Sequence, residues 1–179
     1  LAAGLEKPVA ILNLGGVANI TAIGSDGALT AFDTGMASGL IDNWMQAHGD
    51  MAYDAGGACA AQGRVDEARL GAMLADPWFA APPPKSIDRE AFTIEAVQGL
   101  DLEDGAATLT AFSAAAVARG IDHLAERPLC LHVAGGGRHN RTLMAMLAER
   151  CRVDVRSVDA LGWDGDALYF PIDGGARSV

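Results

Sequence analysis

Asp33 stands in the tetrapeptide Phe32-Asp33-Thr34-Gly35, directly after a short apolar run. A carboxylate there can take a proton from a water or hydroxyl within hydrogen-bond reach, or it can cap a turn through its own side chain. Two glycine turns accompany it. Asn13 with Gly15 and Gly16 lies where one apolar run gives way to the next, and Gly135-Gly136-Gly137 follows Leu131-His132-Val133-Ala134 and precedes Asn140. Glycines at such points let the backbone approach a ligand and aim N–H groups at an anion. They also make ordinary hairpins and flexible βα connections. A carboxylate beside two phosphate-sized turns suits transfer of a phosphoryl group to a hydroxyl. Lys85-Ser86 and Arg89-Glu90 sit in a proline-bounded loop, where the two cations can meet a carboxylate or phosphate or simply pair at the surface. His48, His123, His132 and His139 show no metal-ligand spacing.

The elements that must position these groups follow from periodicity. Residues 9–14 form a short apolar run between Pro8 and Gly15-Gly16 and read as a buried strand. Residues 17–23 and 28–32 read as two more strands around a 24–27 turn, giving an antiparallel meander. Residues 38–48 read as a helix with Leu40, Ile41, Trp44 and Met45 inward and Gly49 as its stop. A second helix is expected over 65–74 with Leu70, Met73 and Leu74 inward and a solvated face of Asp66, Glu67 and Arg69. Pro77 and Pro82-Pro83-Pro84 break regular structure, so 78–90 reads as an ordered loop that Trp78 and Phe79 pin to the core. The longest helix is expected over 106–125, a strand over 129–134, a helix over 141–150 capped by Asn140, and a last strand over 153–158. The sum is one mixed α/β domain without internal repeats.

The chain has 179 residues, half of them apolar, which suits a domain with a sizeable core. A net charge of -10 argues against nucleic acid and anionic membrane as partners, and makes a bound nucleotide depend on Mg²⁺ and backbone N–H groups. No apolar stretch approaches membrane-spanning length and no signal peptide is visible. The chain opens without Met, so an internal start is expected. Cys59, Cys130 and Cys151 are an odd set without CxxC spacing, which points away from disulfides and zinc and toward a reducing cytoplasm. Cys130 reads as a small core residue.

Taken in order, Asn-Leu-Gly-Gly-Val-Ala-Asn-Ile-Thr (13–21), Phe-Asp-Thr-Gly (32–35), Leu40-Ile41-Asp42, Tyr53-Asp54 with Gly57, Ala60-Ala61-Gln62-Gly63, Pro84-Lys85-Ser86 with Arg89-Glu90 and Phe92, Gly135-Gly136-Gly137 with Asn140, and Asp164-Gly165-Asp166 resemble the anhydro-N-acetylmuramic acid kinases. The resemblance covers Pro8 to about Asp166. It implies an α/β fold: a ribonuclease H-like, actin-like ATPase lobe of the hexokinase and Hsp70 superfamily, with a mixed sheet and flanking helices. It implies ATP and Mg²⁺ as cofactors, an amino sugar as substrate, and a cytoplasmic role in peptidoglycan recycling. In the implied reaction water attacks the anomeric carbon of 1,6-anhydro-N-acetylmuramic acid, the anhydro bridge opens, and the freed O6 takes the γ-phosphoryl group. Asp33 would be the base. Asn13, Gly15, Gly16, Gly135, Gly136, Gly137 and Asn140 would face the nucleotide, and Thr34, Gly35, Lys85, Ser86, Arg89 and Glu90 the sugar. No protein metal ligand is implied.

The family's first phosphate loop, Gly-Thr-Ser-x-Asp-Gly, has no counterpart here, so residues 1–179 are expected to be a C-terminal lobe that needs an absent N-terminal lobe and turns over weakly or not at all alone. An exposed interlobe face would drive self-association into a homodimer. After the base the family reads Asp-Thr-Gly-Pro-Gly-Asn, whereas this chain reads Asp33-Thr34-Gly35-Met36-Ala37-Ser38. The family's long helix after Gly-Asp is not expected over 167–175, which holds Pro171, Gly174 and Gly175. A non-catalytic nucleotide- or sugar-binding module on the same fold is the alternative.

Overall fold

The computed structural model describes residues 4–88 and 90–166. The expectation for 167–175, and the role assigned to Arg89, lie outside the described residues. Five strands, β1 (Val9–Leu14), β2 (Val17–Ile23), β3 (Leu29–Met36), β4 (Cys130–Ala134) and β5 (Asp154–Ser157), form one mixed sheet in the order β3-β2-β1-β4-β5. The first three make the antiparallel meander, while β4 joins β1 and β5 joins β4 in parallel. Four helices connect them: α1 (Ser38–His48), α2 (Glu67–Leu74), α3 (Leu102–Asp122) and α4 (Arg141–Cys151).

β2 alternates between buried and half-buried positions, while the central strands β1 and β4 are buried along almost their whole length. Ala10, Leu12, Leu14, Ala18, Ile20 and Phe32 pack with Val117 and Ile121 of α3 and Leu143 and Leu147 of α4. A second core lies beyond the end of the sheet. There Leu40, Ile41, Trp44 and Met45 of α1 meet Leu70 and Met73 of α2, Leu109 and Phe112 of α3, and Phe79 of the proline-rich loop.

Several boundaries differ from the sequence reading by a residue or more, and three of them bear on the site or its supports. Asp66 accepts from the N–H groups of Ala68 and Arg69, so α2 starts at Glu67 rather than at 65. β3 continues past Phe32 through Asp33 to Met36. Asp33 therefore lies within a strand and not after its end. Pairing skips Thr34, since Asn19 opposes Asp33 and Ala18 opposes Gly35, which makes Thr34 a bulge residue. α3 begins at Leu102, four residues before the expected start. Gly105, within this added first stretch, is the residue on which Trp44 lies. The Trp44 ring is wholly buried and its Nε1 donates to the Leu102 carbonyl at 2.8 Å. Cys130, expected in the core, is half-buried at the start of β4.

A Cβ on Gly105 would fall well inside van der Waals contact of the Trp44 indole. Helix propensity favours Gly→Ala by about 1 kcal/mol, while overpacking a tight core costs about 1–3 kcal/mol. Because the indole has no open side to move into, the clash wins. Gly105→Ala is expected to lower the urea midpoint, as followed by tryptophan fluorescence. A midpoint equal to or above wild type would show that Trp44 can yield.

Candidate active site

The hairpin between β1 and β2 and the N-terminus of α1 are built as one piece. The N–H groups of Ala37 and Gly39 donate to the Gly16 carbonyl at 3.0 and 3.3 Å, and Ser38 N–H donates to the Gly15 carbonyl at 3.0 Å. The start of α1 is thus occupied by the hairpin. Peptide planarity then turns the N–H of Gly16 away from α1, and a Cβ on Gly16 would meet nothing within 4 Å. Among the described residues this amide has no hydrogen-bond partner, as an anion-binding turn requires.

The triple-glycine turn is pressed against the same hairpin. Gly135 has φ +78°, and a Cβ there would sit 2.6 Å from both Asn13 Oδ1 and the Leu14 carbonyl. A Cβ on Gly137 would sit 2.6 Å from Leu14 Cβ, whereas Gly136 faces open space. Only glycine fits the outer two positions. Gly136 and Gly137 themselves begin a 3-10 turn, Gly136–His139, that intervenes between β4 and α4, so the glycines do not run straight into the helix. Asn140 caps α4, its Oδ1 accepting from Leu143 N–H at 2.9 Å. Arg138 braces the turn from behind. Its guanidinium reaches Asp159 at 3.1 Å, Asp166 at 2.6 Å and the Gly135 carbonyl at 2.9 Å. Gly135 N–H donates to the Gly165 carbonyl at 2.9 Å.

Between the glycine turn and α1 opens a cleft of about 490 Å³, lined by Ser38, Asp42, Tyr53, Asp54, Gly136 and Asn140 among others. That volume suits a small-molecule ligand. Ser38, Asp42, Tyr53 and His139 were not among the residues assigned a role from sequence. Asp42 follows Ser38 by four residues, one turn along the same helix face, and that spacing is the signal that could have found it. Burial raises the Asp42 carboxyl above its ordinary value. Asp54 serves the fold, its two oxygens accepting from the N–H groups of Cys59 and Ala60 at 2.8 and 3.0 Å.

Asp33 sits on the same row of the sheet as Asn13, with Asn19 between them. Two strand spacings put their backbones roughly 10 Å apart. The carboxyl is 6% exposed. Burial raises it above the ordinary carboxylate range, and the N–H of Ile87, donating to Oδ2 at 2.9 Å, opposes that rise. Asp33 N–H donates to the Lys85 carbonyl at 3.0 Å, so the loop pairs with the free edge of β3. Lys85 and Ser86 therefore lie beside Asp33. Thr34 is buried and its hydroxyl donates to the Ala18 carbonyl at 3.3 Å. Gly35 is seated on α3, where a Cβ would lie 2.8 Å from Ala116 Cβ. Glu90 is exposed and lines a separate groove with Asn43, Gln46 and Phe92.

The described residues include no group of three His, Cys, Asp or Glu arranged to hold a metal, and no helix long and apolar enough to cross a membrane. The three cysteines are free thiols.

This fold is an actin-like ATPase lobe. It is similar to a xylulose kinase from Rhodospirillum rubrum with a TM-score of 0.55 at 17% identity, over 88% of this chain and 36% of that one. It is also similar to an activator of 2-hydroxyisocaproyl-CoA dehydratase from Clostridium difficile solved with bound ADPNP, with a TM-score of 0.54 at 12% identity, over 86% of this chain and 55% of that one. The family model described as anhydro-N-acetylmuramic acid kinase matches residues 1–169. Proteins of that name are 59% identical in Rhizorhabdus wittichii, over 93% of this chain and 46% of the relative, and 52% identical in Caulobacter vibrioides, over 93% and 45%. The chain belongs to the anhydro-N-acetylmuramic acid kinase family, and it spans about half the length of these relatives.

A carboxyl whose folded value is raised is most at ease protonated. Its contribution to stability is full below the unfolded value of about 3.9 and is lost as pH rises through the folded value. Asn at position 33 removes that penalty and can still accept from Ile87. Asp33→Asn is therefore expected to melt above wild type at pH 7, with the gap closing as pH falls toward 4. A lower melting temperature at pH 7 would show that the charged form is the stabilised one.

Proposed function

We propose that the full-length protein is a cytoplasmic kinase of peptidoglycan recycling that converts 1,6-anhydro-N-acetylmuramic acid to N-acetylmuramic acid 6-phosphate at the expense of ATP. The observation that carries this reading is Asp33: a buried carboxyl with one oxygen held by Ile87 N–H, on the sheet row that leads to the two glycine turns. Family membership supplies the substrate.

Asp33 takes a proton from the water that bonds to the anomeric carbon, as the base of an inverting glycosidase does. The bond from that carbon to O6 breaks, O6 bonds to the γ-phosphorus, and ADP leaves. Its raised value makes Asp33 a stronger base than an exposed Asp, which favours accepting that proton. Gly16 N–H and the Gly135–Gly137 turn orient the polyphosphate, and phosphoryl transfer needs mainly such alignment and charge neutralisation. The cleft beside Asp42, Tyr53 and Asn140 takes the nucleoside. Asn140 spends its oxygen on the α4 cap, so its NH₂ group is left for the ligand. Mg²⁺, bound with the nucleotide, would supply charge neutralisation. An N-terminal lobe, for which the greater length of the relatives leaves room, closes the other side.

The test is turnover of the full-length protein with ATP, Mg²⁺ and 1,6-anhydro-N-acetylmuramic acid, wild type against Asp33→Asn. Loss of a general base is worth about 10²–10⁴-fold in kcat. That loss is expected with the KM for ATP held within about twofold of wild type, because Asp33 and the glycine turns contact different parts of the reaction. A wild type that binds ATP without consuming the sugar would refute the kinase. An Asp33→Asn variant with near-normal kcat would move the base elsewhere.

A further inference from the structure

Lys85 is a loop cation that could meet a substrate anion, yet its ammonium is turned into its own loop. Nζ donates to the Trp78 carbonyl at 3.1 Å and to the Phe79 carbonyl at 3.2 Å, and stands 4.3 Å from the centroid of the Trp78 ring. The indole answers by donating from Nε1 to the Ser86 carbonyl at 3.0 Å. Side chain and ring thus tie residues 85–86 to the turn Pro77–Ala80 from both directions.

That turn is fixed to the core. Phe79 is buried and stands edge-on to Phe112 of α3, with Phe92 beside it. The Phe79 carbonyl also accepts from His123 Nε2 at 2.8 Å. A carbonyl only accepts, so Nε2 carries the ring proton there. From this anchored knot the chain runs on for two residues and reaches Asp33. The Lys85 carbonyl takes Asp33 N–H at 3.0 Å, and Ile87 N–H reaches Asp33 Oδ2 at 2.9 Å. Among the described residues Oδ1 has no hydrogen-bond partner, and it is not among the side-chain atoms sealed from solvent without one. One oxygen is held and the other is free to work.

We propose that Lys85 and Trp78 are positioning residues for Asp33: their mutual lock sets the path of residues 85–87, and through Ile87 N–H it fixes which carboxylate oxygen is held and which faces the substrate water. The proposal rests on Asp33 being the base of the kinase reading above. The geometry gives Lys85 this role in place of a direct contact with the sugar, since two of its three donors are already taken by carbonyls and its cation is seated over an aromatic face. Among the described residues the other titratable or charged groups around the knot are Asp76, which accepts from Trp78 N–H, Asp88 and Glu90 in the loop, and Arg119 and His123 on or next to α3. Burial and the Ile87 bond, not these charges, govern Asp33.

The test uses the full-length protein with Lys85→Met, which keeps length and removes the donors, and with Trp78→Phe, which keeps a ring under the ammonium and removes only the indole donor. Misplacing a base by a fraction of an ångström is expected to cost about ten- to a hundredfold in kcat. The KM for ATP should stay within twofold. The acid limb of the kcat–pH profile should move to higher pH, because a loosened Ile87 N–H no longer favours the carboxylate. Trp78→Phe should shift that limb in the same direction by less, and it decides the matter alone if Lys85→Met does not fold. A variant with an unmoved limb, whether fully active or impaired only in the KM for the sugar, overturns the proposal. ¹³C-NMR titration of the Asp33 carboxyl reads the same displacement without turnover. An inactive wild type whose Asp33 titration still moves in the variant fails the kinase reading alone, and an unmoved titration fails this one.

Discussion

A carboxylate on an edge strand is easily solvated and easily misdirected, and the position of Asp33 depends on suppressing both. β3 has β2 on one side only. Its outer edge would be left with unpaired amides, which proteins commonly cover with another segment. Here the loop over 85–87 does so with a backbone bond on Asp33 N–H and a second bond to its side chain. The Thr34 bulge sets the geometry on the inner side. Phe32 and Thr34, two apart on the strand, share the face toward α3, and the bulge turns Gly35 to that face as well, where a Cβ would meet Ala116. The proline-rich loop, the aromatic cluster around Phe79 and the long helix α3 are the supports of that one side chain.

The second dependency is steric. The glycine turn after β4 can lie on the hairpin after β1 because Gly135 and Gly137 carry no side chain where Leu14 and Asn13 are. Parallel pairing of β1 with β4 delivers both turns to the same end of the sheet, and ligands of open α/β sheets gather at that end. The middle glycine then faces the cleft while its neighbours serve packing. Gly16 divides its duties in the same way, its carbonyl held by α1 and its amide left without a partner among the described residues.

Most of this was legible in the sequence where a local rule was decisive. β1, β2 and α1 fall where alternation, Gly15-Gly16 and the Leu40-Ile41-Trp44-Met45 stripe put them. Asn140 caps α4 as its position foretold. The late start of α2 is local, set by the Asp66 cap, whereas the failures at the site come from tertiary partners that overrode the local signal. Asp33 reads as the residue after a strand until a loop more than fifty positions away pairs with it. Lys85 reads as a free cation until Trp78 and Phe79 supply its acceptors. Tyr53 was visible only as part of a family pattern, because nothing in its own neighbourhood says that α4 and the glycine turn will face it.

The charge balance ties these observations together. A net charge of -10 is a poor setting for a polyphosphate, and three of the described cations are held by the fold itself. Arg138 is shared by Asp159 and Asp166, its side chain only 6% exposed. Lys85 is spent on two carbonyls, and Arg119 donates to the Leu74 carbonyl at 2.5 Å. Each cation holds backbone in place instead of meeting the ligand. On the kinase reading proposed above, neutralising a nucleotide would fall to backbone amides such as that of Gly16, to a divalent cation and to groups supplied from outside these residues. The division has a physical logic. A buried arginine or lysine locked into carbonyls is a rigid brace, and rigid bracing of amides and of one carboxylate oxygen is what an electrostatically preorganised site needs.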